Sequence, residues 1–143
     1  ITSKQHSDEL VHAAKTMGLA WGLLGTIRAV PFHAAKKRTF LPQDLIAKHG
    51  VKSSVLFELQ SSQALCEVTL VIIEKVREPL KAARAIKVSQ SKEARSPLLI
   101  GILADNYIKH LEQNKYDPFD PILQGMKATA TWRLMWANFR SRY

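Results

Sequence analysis

Acidic residues are the scarce class in this chain of 143 residues: 12 Asp and Glu stand against 21 Lys and Arg, a formal charge of +9. A basic balance of that size favours an anionic partner, whether nucleic acid, an anionic membrane surface or an acidic protein. The scarcity is sharpest between Glu9 and Asp44, where no acid occurs at all. Cysteine is nearly absent as well. The lone Cys66 excludes an internal disulfide framework and a multi-cysteine zinc site, and its apolar neighbours make it a small core residue. Long apolar runs are missing: the longest uncharged apolar run, residues 17–27, is too short and glycine-rich to cross a bilayer. Sustained period-two alternation is lacking, as are Asn-Gly and Asp-Gly pairs, which argues against hairpins. The chain also opens on Ile1 rather than methionine, as expected of a processed precursor or of part of a longer protein.

What remains reads as helix. A hydrophobic content of 46% with 23% charged residues is ordinary for a folded chain, and the length suits one domain, residues 1–143, able to bury a core. A first helix is predicted over residues 7–30, with Ser7 as N-cap and Asp8 and Glu9 in the first turn; Pro31 kinks or ends it. Pro42 opens a short helix over 43–48 that Gly50 terminates. A third helix is predicted over 61–88, bent at Pro79, and its core stripe is Leu65, Val68, Ile72, Val76 and Leu80. A fourth runs over 97–114, "YDPFDP" at 116–121 makes a proline-ruled turn, and a last helix covers 128–140. The fold class is therefore all-α.

The stretch "TIRAVPFHAAKKRTFLP", residues 26–42, carries the most specific signal. Together with Gly18, the residues Arg28, Arg38, Phe40, Leu41 and Pro42 and the continuation "QDLIAKHGV" resemble the second signature of the squalene/phytoene synthase family. The resemblance implies a helical bundle of the isoprenoid synthase type, of which this chain forms the C-terminal part. It also implies a face that in the enzymes holds magnesium and a substrate diphosphate. Here the matching positions are Gly22, Gly25, Ala29 and His33, where the family has Gln, Asn and two aspartates. Spacings of three, four and four put all four on one helix face. Magnesium needs oxygen ligands; glycine and alanine have no donor, and imidazole suits softer metals. Losing these ligands removes the means of neutralising a diphosphate leaving group.

The arrangement "IRA-x-PFH" with "KKR" and "FLP" resembles a non-catalytic branch of the family, mitochondrial assembly factors for respiratory complex I. The resemblance implies protein partners in a mitochondrial complex on the matrix side of the inner membrane, either in assembly or as a structural subunit. It implies no catalysis, cofactor, metal or small-molecule substrate. Two other readings stay open: an active head-to-head prenyl transferase with its first aspartate motif upstream, and a basic RNA-contacting component of a mitochondrial ribonucleoprotein. The latter lacks an RNA-recognition signature.

Arg28, Lys36, Lys37 and Arg38 are candidates for anion binding; the plainer alternative is a solvated basic stretch. His33 is either a ligand or a hydrogen-bonded structural residue. His6, His12, His49 and His110 show no i,i+4 pairing. Asp117 and Asp120 fit a turn cap better than a metal site. Finally, Trp132, Met135, Trp136 and Phe139 follow i, i+3, i+4, i+7, with Lys127, Arg133, Arg140 and Arg142 around them. That face suits peripheral contact with an anionic membrane, a partner protein, or the core of the fold itself.

Overall fold

A computed structural model describes residues 2–85, 95–121 and 123, and all of its regular structure among these is helical. Six helices follow in order: α1 (Thr2–Arg28), α2 (Val30–Ala35), α3 (Gln43–His49), α4 (Ser53–Phe57), α5 (Gln63–Ala85) and α6 (Arg95–Gln113). The last predicted helix, with Trp132, Met135, Trp136 and Phe139, lies outside the described residues.

The framework is the packing of two long helices, α1 against α5, with α6 beside α1, α3 against α5 and α2 against α4. α1 contributes Ala13, Met17, Ala20, Leu24 and Ile27, spaced by four, three, four and three so that they form one buried stripe. The stripe predicted on α5 is buried in full: Leu65, Val68, Ile72, Val76 and Leu80, joined by Thr69 and Ile73. Thr69 satisfies its buried hydroxyl by donating to the Leu65 carbonyl, 3.0 Å away. Ala104, Tyr107, Ile108 and Leu111 bring α6 into the same core, and buried Phe119 closes its end. At Gly101 of α6 an added Cβ would make an ordinary packing contact, 3.5 Å, with Met17 Cε of α1.

Several helix limits differ from those the sequence predicts. The first helix begins at Thr2, not at Ser7, because nothing in residues 2–6 breaks a helix; Asp8 and Glu9 consequently sit beyond its first turn. It ends at Arg28, three residues ahead of Pro31, whose missing N–H leaves the Ile27 carbonyl without its helical partner. α5 starts at Gln63, two residues after the predicted start, and runs through Pro79 to Ala85, as the sequence predicts for that proline. The short α4 has too few residues to show a helical period and is not visible in the sequence pattern. Cys66 is half-buried instead of being a core residue, since it stands one helical step off the α5 stripe; burial still pushes its thiol pKa up.

Four helices end in the same way. In each, one N–H bonds the carbonyl five residues back and the preceding N–H bonds the carbonyl three back, a pattern that needs a left-handed residue. For α3 that residue is Gly50, φ 67°, with Val51 N to Ile46 O at 3.1 Å. For α2, α4 and α6 it is Lys37 (φ 54°), Leu59 (φ 59°) and Lys115 (φ 55°). Each non-glycine residue there gives up about 1 kcal/mol or more of backbone strain.

Two side-chain pairs link the helices across the surface. Arg77 of α5 bonds Glu112 of α6 and also Glu74 at 3.2 Å. These carboxylates push the Arg77 guanidinium pKa up. His49 Nδ1 of α3 lies 3.1 Å from Glu67 Oε2 of α5. Both pairs are largely solvated and contribute little individually.

Candidate functional site

The end of α1, the whole of α2 and the turn into α3 carry the residues singled out by the sequence. Ala29 joins the two helices without losing register: its N–H bonds the Gly25 carbonyl at 2.9 Å, and the His33 N–H bonds the Ala29 carbonyl at 2.9 Å. These two bonds and the helical angles of Ala29 carry the helical path across the junction, despite the rung lost at Pro31, and keep Gly22, Gly25, Ala29 and His33 on one side. That side lies opposite the buried stripe of α1. Gly22 is exposed, and Gly25, Ala29 and His33 are half-buried. A Cβ placed on Gly18, Gly22 or Gly25 would meet nothing within 4 Å.

Chemically this face is bare. A magnesium–diphosphate pair, which the family resemblance implies, requires a set of hard oxygen donors. The four positions supply no carboxylate, amide or hydroxyl side chain. The one side chain with a donor atom, the imidazole of His33, offers nitrogen and packs edge-on with Phe40 at 4.5 Å between centroids and with Phe32 at 5.4 Å. The donor set does not fit the metal. Among the described residues no three His, Cys, Asp or Glu side chains are grouped to hold an ion.

The four basic candidates separate into two environments. Arg28 is half-buried, and its positive charge is felt by Tyr107 of α6. Lys36, Lys37 and Arg38 are exposed at the turn that ends α2, where Lys37 N bonds Ala34 O and Arg38 N bonds His33 O, both at 2.9 Å. Among the described residues no carboxylate pairs with these three. Lys36 Nζ instead lies over the Phe32 ring, 4.2 Å from its centroid.

Two features here escaped the sequence reading. One is the cluster of Phe32, His33 and Phe40, whose only signal is a pair of aromatics flanking the basic run. The other is Tyr107, buried against α1 with its pKa pushed up to about 12 by burial, which the charge of Arg28 offsets in part. A phenol raised in the fold stabilises it up to the ordinary value of 10 and loses that contribution as pH climbs towards about 12. The unfolded chain releases the proton first, so roughly 2–3 kcal/mol of stability should vanish across that window. Urea midpoints at the two ends of the window check this: Tyr107→Phe should fall less steeply with pH than the unaltered chain.

The remaining acids have structural places. Asp117 Oδ1 accepts the Phe119 N–H at 2.9 Å, which is the turn cap expected of it. Glu112 is taken up by Arg77. No described helix is long and apolar enough to cross a membrane.

The fold is an all-α helical bundle, with no oxygen-bearing side chain at Gly22, Gly25, Ala29 and His33. The chain belongs to the squalene/phytoene synthase family, whose pattern matches residues 1–140. Within the family it is similar to a protein of mouse named NADH dehydrogenase (ubiquinone) complex I, assembly factor 6, at 29% identity over 138 residues. The alignment covers 96% of this chain and 40% of the mouse protein. The human protein of that name is 26% identical over the same shares, and the Drosophila melanogaster homolog 21% over 92% of this chain and 40% of its own length. The chain thus spans about 40% of the length of these relatives. No solved structure is a significant match.

Proposed function

We propose that this protein is a catalytically silent member of its family that acts in the assembly of respiratory complex I through protein contacts. The observation that carries the reading is the face of Gly22, Gly25, Ala29 and His33. It is kept in helical register, open to approach by a partner and empty of oxygen donors. The similarity to proteins named as assembly factors supports it across nearly the whole chain. Its place would be the mitochondrion, on the matrix side of the inner membrane. The described region would be a single helical unit within a longer chain. The terminal aromatic face of Trp132, Met135, Trp136 and Phe139 would serve as a further partner or membrane contact.

The test is loss and restoration. Cells without the full-length protein should accumulate subassemblies of complex I on native gels, and reintroducing it should restore the mature complex. Normal complex I in the null cells would overturn the reading. A rescue that depended on isoprenyl diphosphate turnover would replace it with the prenyl transferase reading.

A further inference from the structure

α2 and the turn that follows it expose two phenyl rings beside a run of three cations, packed on His33 at the end of the bare face. Phe32 is 59% exposed and Phe40 66% exposed, which is unusual for rings of that size. They are nevertheless ordered about one centre, each packed edge-on against His33. Lys36, Lys37 and Arg38, all exposed, lie between them in the chain, and Lys36 is drawn over the Phe32 ring. The nearest acids along the chain are Glu9 and Asp44.

We infer that this turn docks on the surface of an anionic phospholipid bilayer, with Phe32 and Phe40 entering the headgroup–acyl boundary and Lys36, Lys37 and Arg38 contacting lipid phosphates. The two halves of the surface demand the same partner. Exposed phenyl rings gain by leaving water, whereas the lysine and arginine heads stay hydrated or pair with phosphate while their stems cover apolar surface. A bilayer interface offers both environments within a few ångströms. A nucleic acid is the weaker fit, because base stacking needs an open ring face and that of Phe32 is covered by Lys36.

The backbone supplies a variant for the test. Lys37 holds the left-handed position of the turn at φ 54°, where glycine is the unstrained choice. Leu59 and Lys115 hold the same position elsewhere in the fold, so the angle does not itself mark a site, but it makes Lys37→Gly a variant that removes a cation without straining the turn.

Each cation near an anionic surface contributes roughly a fivefold gain in binding, so the three together are worth on the order of a hundredfold. Each inserted phenyl ring adds roughly tenfold. Sedimentation with phosphatidylcholine vesicles, with and without phosphatidylglycerol, measures this on the intact chain. Binding should require the anionic lipid and weaken with salt. Phe32→Ser with Phe40→Ser should abolish most of it, and Lys36→Glu, Lys37→Glu and Arg38→Glu together should abolish it. Lys37→Gly relieves the strained turn, so it should fold at least as stably while binding roughly fivefold more weakly. Circular dichroism and urea midpoints confirm that the variants fold, which exposed positions permit. Equal binding by all variants overturns the inference, since another face then makes the contact. So does binding to an RNA oligonucleotide or an acidic protein with none to anionic vesicles. Neither outcome bears on the role in complex I, which is read separately in cells.

Discussion

Leu24→Ala is expected to lower the unfolding free energy by about 2–5 kcal/mol, while Gly22→Ala, two residues away, is expected to raise it by up to about 1 kcal/mol. The opposite signs follow from the rotation of α1. Leu24 is 1% exposed, a helical step from Ala20 and Ile27 on the stripe that meets α5. Truncating it leaves a cavity that two packed helices close only in part. Gly22 lies on the far side, where a methyl group meets no atom within 4 Å and only adds helix propensity. Urea unfolding of the two variants decides it. If both lose stability, α1 is turned differently or its bare face is covered within this chain, and the argument from that face fails with it.

The second large effect concerns magnesium and diphosphate. A functional site would stabilise the fold by about 2.7 kcal/mol at a hundredfold excess of ligand over its dissociation constant. Because Gly22, Gly25, Ala29 and His33 carry no side-chain oxygen, pyrophosphate should produce no magnesium-dependent rise in the melting temperature. Isoprenyl diphosphates should likewise show no magnesium-dependent turnover. Basic residues alone bind anions, so the diagnostic arm is the difference between added magnesium and added chelator, not the response to pyrophosphate itself. A clear magnesium-dependent shift removed by Ala29→Leu would place a metal centre on this face after all.

Much of this arrangement was legible in the residues. The α5 stripe from Leu65 to Leu80 repeats at helical spacing, and burial follows directly from that period. The stop of α3 at Gly50 and the cap at Asp117 are local chemistry, determined by which backbone angles and hydrogen bonds those side chains allow. The register of Gly22, Gly25, Ala29 and His33 is likewise a matter of counting along a helix. The strained ends at Lys37, Leu59 and Lys115 were not legible, because no residue type there announces a left-handed angle. Such positions are accepted only when the rest of the fold over-determines them.

Residue identity alone decided that no oxygen donor stands at the four positions, that no acid lies between Glu9 and Asp44, and that the long helices carry apolar stripes. Those are properties of single residues and of short repeats. Only the tertiary structure decided which side of α1 is covered by α5, that Tyr107 lies against the charge of Arg28, and that Phe32 and Phe40 close on His33 while remaining open to solvent. These depend on how helices distant in sequence meet. Packing between them is set by shape and burial summed over the whole core, which no local pattern contains.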